Sequence, residues 1–292
     1  MTDWMKTLPD DVNIADVTLP GTHNSCARCV DFGYFTKCQN MTVSEQLRAG
    51  IRMLDIRIEL DGDIIKTVHS VIDCRKKPFD RQKLLFDDVL ADISGFLTAN
   101  PSETVIVLVN RDDGPASDVT LAAFYRKFVE NNTLWFTENR FPMLGEARGR
   151  AVLLNRCSLP HELDADRCGL DFSPWQASDT AAGEFGKAEL KNSAAERRSY
   201  YLQDTYKASP RVKWETAVKP FIENAPRDES AIINYFSAND AIHSPRMTAK
   251  YNIGKYLTMS VENGRKLGWL LFDYPTDEVI RKTITANDYP KK

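Results

Sequence analysis

The sequence is sparing with histidine and cysteine, four and six among 292 residues, and it lacks any long apolar run. The longest purely aliphatic stretch, Val105-Ile106-Val107-Leu108-Val109, is far shorter than the roughly 18 residues a membrane-spanning helix needs. A transmembrane helix is excluded. An excess of positive charge is also missing: 38 basic residues against 41 acidic ones give a formal charge of −3. That balance excludes the strongly basic footprint of a nucleic-acid-binding protein. Glycine and proline number 14 each and aromatics make up 10%, which excludes the composition of a disordered chain. The start, MTDWMKTLPDD, has no apolar core of a secretory signal, although a mature chain preceded by an added Met would read the same way. The cysteines, Cys26, Cys29, Cys38, Cys74, Cys157 and Cys168, are too few for a disulfide scaffold. Cys26-x-x-Cys29 followed by Cys38 is part of a zinc pattern without an evident fourth ligand, so ordinary thiols or one local disulfide are the favoured reading.

No internal repeat, low-complexity tract or Gly/Ser linker divides the chain, and one domain over residues 1–292 is expected. Strand-like runs rich in Val, Ile, Leu and aromatics are Asp16–Pro20, Ile51–Leu60, Ile64–His69, Thr104–Arg111, Ala151–Arg156, Tyr200–Asp204, Ala231–Ser237 and Gly268–Asp273. Segments of helical period lie between several of them. One opens with Thr42-Val43-Ser44-Glu45, where hydroxyl and carboxylate can cap the first turn reciprocally. Others place Leu85, Val89, Ile93, Phe96 and Leu97 on one face, or Leu121, Phe124, Tyr125, Phe128 and Val129, and two more span about Val212–Glu223 and Met247–Glu262. This alternation predicts an α/β fold, a distorted (β/α) barrel ahead of an open doubly wound sheet, since no dinucleotide or phosphate-loop glycine pattern is present. The Asp61-Gly62-Asp63 turn predicts that the 64–69 strand folds back as a hairpin.

The reactive residues collect where these strands end. His23 follows the first run, Asp55 and Arg57 lie in the second, and His69 ends the third. Asn110, Arg111 and Asp112 end the fourth, Arg156 the fifth, Asp204 and Tyr206 follow the sixth, and Asp273 ends the last. In a (β/α) barrel those carboxyl ends converge on one face, where active sites are built. Any one of these residues is more often a structural cap. Their coincidence against almost wholly apolar strand interiors carries the reading. Two histidines at strand ends suit a phosphodiester attacked by a neighbouring hydroxyl, one imidazole taking the nucleophile's proton and the other protonating the leaving oxygen. A guanidinium such as Arg57 would balance charge on the phosphoryl oxygens, and a carboxylate such as Asp273 would orient an imidazole. Two structural histidines with an Arg–Asp pair between them are the competing reading. His161 and His243 are assigned no chemistry.

The chain resembles bacterial phosphatidylinositol-specific phospholipase C over nearly its whole length. The segments that carry the likeness are Trp4-Met5, LPGTHNS, GIRMLDIRIEL, TVHS, NPSETVIVLVNRD, LGEARGRAVLLNRCS, YLQDTYK, IINYFSA, AIHSP and GWLLFDYP, in that order. The resemblance implies a single-domain distorted TIM barrel, (β/α)8. It implies cleavage of phosphatidylinositol to diacylglycerol and inositol 1,2-cyclic phosphate, with glycosyl-phosphatidylinositol anchors as a further substrate class. By the same resemblance His23 is the general base oriented by Asp273, and His69 is the general acid. Arg57, steadied by Asp55, is the phosphate clamp, and Arg156, Asp204 and Tyr206 hold inositol.

Two departures from the family pattern stand out. Asn24 replaces an Asp that partners the acid imidazole in the metal-independent bacterial enzymes, and reduced activity would follow. Asn at that position is a calcium ligand in eukaryotic relatives, but Arg57 stands where those relatives have a carboxylate, so no metal or other cofactor is expected. Asn110 stands where bacterial relatives carry a Lys, leaving one positive contact missing unless Arg111 supplies it. Phe32, Tyr34 and Phe35 are either a membrane-touching segment or a buried loop anchor, and Ile242 is a weaker anchor than the Trp of a close relative. With no basic cluster recognised, a transient interfacial contact with phosphatidylinositol in membranes is expected, by a monomer. The resemblance implies secretion, whereas Met1 as native start implies a cytoplasmic chain. Competing functions are a phosphodiesterase for another glycerophospholipid head group and a catalytically weakened inositol-lipid-binding module.

Overall fold

The structure, a computed structural model, describes residues 1–110, 118–157, 159–160, 163–164, 167–175, 186–226, 228–262 and 264–287. Arg111, Asp112 and His161 lie outside the described residues. The strands are β1 (Leu19–Thr22), β2 (Met53–Asp61), β3 (Ile64–His69), β4 (Ile72–Asp73), β5 (Val105–Asn110), β6 (Trp135–Phe136), β7 (Ala151–Asn155), β8 (Leu170–Asp171), β9 (Gly186–Glu189), β10 (Ser199–Gln203), β11 (Ala231–Tyr235) and β12 (Trp269–Phe272). Between them run α1 (Gly33–Thr36), α2 (Val43–Ala49), α3 (Phe86–Ala99), α4 (Asp118–Phe124, continued by a π-helical stretch), α5 (Leu144–Ala147), α6 (Pro210–Val212) leading through π-helical turns into α7 (Lys219–Asn224), α8 (Pro245–Thr258) and α9 (Asp277–Thr285).

The sheet runs β6-β7-β5-β2-β1-β12-β11-β10-β9. All neighbours in the path are parallel except β9, which lies antiparallel on β10. The short strands β6 and β8 share the outer edge of β7, pairing with Ala151–Val152 and with Leu154–Asn155 respectively. Together they make one split stave, so the curled sheet has the staves of a (β/α) barrel with one seam. No ladder joins β8 to β9 or β10 among the described residues. The hairpin expected from Asp61-Gly62-Asp63 is present: β3 folds back antiparallel on β2, with Asp61 opposite Ile64.

The period of two along each strand sorts its side chains between two cores. Leu54, Ile56, Val105, Val107, Val109, Leu153, Leu270 and Phe272 face the helix layer. Met53, Ile106, Leu108, Val152, Leu154, Trp269 and Leu271 face the barrel interior. Thr42 and Glu45 form the reciprocal cap of α2 read from the sequence, and α3 packs through Val89, Ile93, Phe96 and Leu97. The chain enters β12 through Gly268 at φ +77, where a Cβ would stand 2.2 Å from the carbonyl oxygen of Ile232. Only glycine fits there, because both the positive φ and the contact exclude a side chain.

The first strand and the last helix depart from the sequence reading. The first strand begins at Leu19, not Asp16, because Asn13 accepts from the Ala15 amide and turns Ile14–Asp16 into a 3-10 helix. The C-terminal helix α9 was not among the expected helices. Thr276 caps it, and its buried face mixes Val279 and Ile280 with Thr283, diluting the apolar period.

Candidate active site

The same alternation that fills the barrel aims its polar ends. His23 lies two residues beyond Gly21 and four beyond Leu19, Arg57 continues Met53 and Asp55, and Asn110 continues Ile106 and Leu108. Arg156 continues Val152 and Leu154, Asp204 continues Tyr200 and Leu202, and Asp273 continues Trp269 and Leu271. Interior-facing positions therefore change from apolar to polar or ionisable at the carboxyl ends of these staves. They line one open cavity of about 470 Å³ that gathers His23, Asn24, Arg57, His69, Asn110, Arg156, Asp204, Tyr206 and Asp273. A larger depression of about 760 Å³ runs along Tyr125, Asn131, Trp135, Arg150 and Arg167 and gathers no histidine.

His23 is held on every side. Its amide donates to the Phe272 carbonyl at 3.0 Å, and the Gln39 amide donates to its carbonyl at 2.7 Å. The ring Nδ1 meets Asp273 Oδ1 at 2.8 Å, and Tyr235 packs edge-on with centroids 5.9 Å apart. Asp273 is buried, and that burial, opposed by the imidazole, leaves its carboxyl above the ordinary range. With Nδ1–H donating to Asp273, Nε2 presents a lone pair, and the Asn24 amide nitrogen lies 3.0 Å from it. The Asn24 Oδ1 is buried without a partner.

His69 reaches the same cavity from the hairpin instead of the barrel wall, its ring centroid 6.4 Å from that of His23. Its Nδ1 lies 2.6 Å from the carbonyl of Thr36, which leaves Nε2 for the cavity. Burial, reinforced by the positive charge of His23 and Arg57, pushes the ring down to about 4, although the Thr36 carbonyl pulls the other way.

Arg57 donates through Nε to Asp55 Oδ1 at 2.8 Å and through Nη2 to Oδ2 at 3.1 Å. Burial alone would raise Asp55, but the fixed guanidinium holds its carboxyl below the usual range. Ser25 Oγ accepts from the Asp55 amide at 2.9 Å, and the Tyr235 hydroxyl donates to its carboxylate at 3.4 Å. On the far wall Arg156 pairs with Asp204 at 3.3 Å and lies 4.6 Å over the Trp175 ring. The Trp175 indole also donates to Asp204 at 3.1 Å. Tyr206 stands partly exposed at the mouth.

Residues 11–140 match the family model described as PI-PLC X 1. Along 98% of its length the chain is 27% identical to the 1-phosphatidylinositol phosphodiesterase of Listeria monocytogenes, covering 85% of that protein. With the protein of the same name from Staphylococcus aureus it shares 25% identity, again over 98% of this chain and 94% of the relative. The chain is thus similar to bacterial 1-phosphatidylinositol phosphodiesterases along nearly its whole length, and to the PI-PLC X 1 family model over residues 11–140. Among solved structures, a double mutant of the Staphylococcus aureus phosphatidylinositol-specific phospholipase C superposes with a TM-score of 0.80 at 23% identity, covering 98% of this chain and 97% of that one. The Listeria monocytogenes enzyme gives 0.72 at 23% identity, covering 99% of each chain. These likenesses fix the shared barrel fold.

Within this fold, His23, Asn24, Arg57, His69, Asn110, Arg156, Asp204, Tyr206 and Asp273 all line one cavity, with Asp55 hydrogen-bonded to Arg57. The supporting layer escaped the sequence: Gln39, Ser25, Tyr235, Trp175 and Lys213. Lys213 is wholly buried, and its ammonium donates to Gln203 Oε1 at 2.8 Å and to the Thr205 carbonyl at 2.6 Å, bracketing Asp204. Burial lowers it to about 7. The exposed aromatics decide one open alternative: Phe32 (79%), Tyr34 (58%) and Phe35 (45%) face solvent and are no buried anchor. The Tyr34 hydroxyl reaches the carbonyl of exposed Ile242 at 3.5 Å, joining the two segments at the rim. The sequence also holds a basic stretch, Arg75 to Lys83, in which Arg75, Lys76 and Lys83 are bound to Asp31, Asp88 and Asp61.

Proposed function

We propose that the protein cleaves phosphatidylinositol by internal attack of the inositol 2-hydroxyl on phosphorus, releasing diacylglycerol and inositol 1,2-cyclic phosphate. The observation that carries this reading is the placement of two imidazoles, one on the barrel and one on the hairpin, in a single cavity with a bidentate Arg57–Asp55 pair. The relatives' names point to the same lipid. His23 Nε2 accepts the hydroxyl proton while the new phosphorus–oxygen bond forms. His69 Nε2 gives a proton to the glycerol oxygen as the old bond breaks. Asp273 fixes the His23 tautomer and stabilises its cation, and Arg57 offsets charge on the non-bridging oxygens. Arg156, Asp204, Asn110 and Tyr206 form the wall for the inositol ring. The whole chain acts as one catalytic unit, a monomer meeting the bilayer transiently through the rim of Phe32, Tyr34, Phe35 and Ile242.

The reaction needs no metal. Asp55 is committed to Arg57, Asp273 to His23 and Asp204 to Arg156, and a hard cation such as calcium wants several uncommitted oxygens. With phosphatidylinositol vesicles and excess EDTA, the purified protein is expected to yield inositol cyclic phosphate. No product with or without calcium overturns the reading, and release of another head group from a lipid panel redirects it.

Asn24 sets a limit on the acid. A ring held at about 4 is neutral at pH 7, so His69 becomes a donor only when the anionic phosphodiester raises its proton affinity. Asn24→Asp adds a carboxylate to the same cavity and favours the imidazolium. An acid must be protonated to act, so the alkaline limb of kcat/KM against pH should move upward. Each unit of that movement is worth about tenfold in the protonated fraction at pH 7. An unmoved limb would show that Asn24 does not tune the acid.

A further inference from the structure

We propose that the catalytic cavity contains an inhibitory site for one thiophilic divalent cation of the zinc and cadmium class, ligated by Cys38, His23 and Asp273. The sequence suggested a partial zinc pattern from Cys26, Cys29 and Cys38, but among the described residues only Cys38 of these joins a group of possible ligands. Cys38 instead stands in the active site, where its thiol, an imidazole nitrogen of His23 and an Asp273 oxygen all lie within 4.8 Å of one another. Among the described residues this is the group of His, Cys, Asp and Glu side chains arranged to share an ion.

The donor set decides which ion. One sulfur, one imidazole nitrogen and one carboxylate oxygen suit zinc or cadmium and are poor for calcium or magnesium, which want oxygen alone. Bonds of about 2.0–2.3 Å place tetrahedral donors about 3.3–3.8 Å apart, so small side-chain rotations bring the three to bonding distance. Cys38 and Asp273 are almost wholly buried while the His23 side chain is 19% exposed, leaving an entry path and a fourth position for water from the cavity. A second observation lies beside it: Asn24, itself buried, lines the same cavity, and its Oδ1 has no hydrogen-bond partner.

Binding is an acid–base exchange without redox change. The thiol gives its proton to solvent, a metal–sulfur bond forms, and the imidazole contributes a lone pair. Either ring nitrogen blocks catalysis. A metal on Nε2 occupies the base itself, and a metal on Nδ1 displaces the Asp273 bond and leaves the ring proton on Nε2. Cys38 then explains a vulnerability that His23 and Asp273 alone would not have.

The inhibitory part rests on the proposed role of His23, whereas the binding part does not, and the test separates them. Cadmium titrated into the intact protein should produce a thiolate charge-transfer band saturating at one equivalent. The band should vanish in the near-isosteric Cys38→Ser and in Cys38→Ala, each checked for native circular dichroism. Zinc should inhibit phosphatidylinositol cleavage reversibly by EDTA, with the half-inhibiting concentration raised about tenfold or more in Cys38→Ser, the scale of losing one metal ligand. No band, or one unchanged in both variants, overturns the site. Equal zinc sensitivity of Cys38→Ser and the native protein overturns the inhibition. Should the protein cleave no inositol lipid at all, the cadmium band still decides the site.

Discussion

His23→Ala and His69→Ala should each lower kcat on phosphatidylinositol vesicles by about 10² to 10⁴, the range general acid–base groups contribute. The fold should survive both changes. The main chain of residue 23 is fixed by Phe272 and Gln39 through backbone groups that alanine keeps, and His69 pairs with Ile72 through backbone groups that alanine also keeps, so the ring's bond to the Thr36 carbonyl is the one lost. KM should move little, since neither ring supplies the charge that grips the phosphate. The two losses differ in kind, and leaving-group chemistry separates them. An inositol phosphate ester of an acidic phenol departs without a proton, so it should recover most of the rate in His69→Ala and almost none in His23→Ala. Equal recovery in both would reverse or abolish the assigned roles. The double variant should be little worse than the poorer single one, because the two rings serve one transition state.

Arg57→Ala should damage both turnover and stability, and the two losses can be parted. Turnover falls by about 10² to 10³ when a preorganised donor to the developing charge is removed. Stability falls by about 3–5 kcal/mol because Asp55, fully buried, is left without its counter-ion. The pH dependence of the stability loss changes sign. In the native protein the Asp55 carboxyl is held low, so its contribution is present above the ordinary carboxylate range and is lost as pH falls through the lowered value. Without Arg57, burial pushes the same carboxyl up, and stability is then lost as pH rises through the raised value. Urea midpoints for Arg57→Ala should therefore improve on mild acidification, where those of the native protein do not. Pairing Asp55→Asn with Arg57→Met should restore the midpoint at neutral pH without restoring turnover. A double variant that recovers turnover would show that Arg57 is structural alone.

The site was legible because strand periodicity and chemistry change together. An apolar run such as Val105–Val109 ending in Asn110, or Trp269–Phe272 ending in Asp273, announces both a buried stave and the face at which it stops. The hairpin was equally plain, since Gly62 and Asp63 leave no room for anything but a tight reversal. What lay outside the sequence is the identity of polar partners. Gln39 and Gln203 look like any other amide, yet one clamps the His23 carbonyl and the other anchors Lys213 beneath Asp204. Cys38 was read with its sequence neighbours Cys26 and Cys29, because nothing local reveals that a loop carries it to Asp273. The split stave of β6 and β8 also left no signal, each piece being two residues long.

The hydrogen bond between His23 and Asp273 joins positions 250 apart in the chain, and the strands bearing them, β1 and β12, are direct neighbours in the sheet. Such distant pairing carries a loop-closure cost, and the bond can form only once β1 and β12 lie side by side. A chain with every stave formed except β12 would already hold Arg57, His69 and Arg156, yet His23 would lack the carboxylate of Asp273. Turnover is thus a stricter reporter of complete folding than secondary structure is, and in refolding it should be the last signal to return.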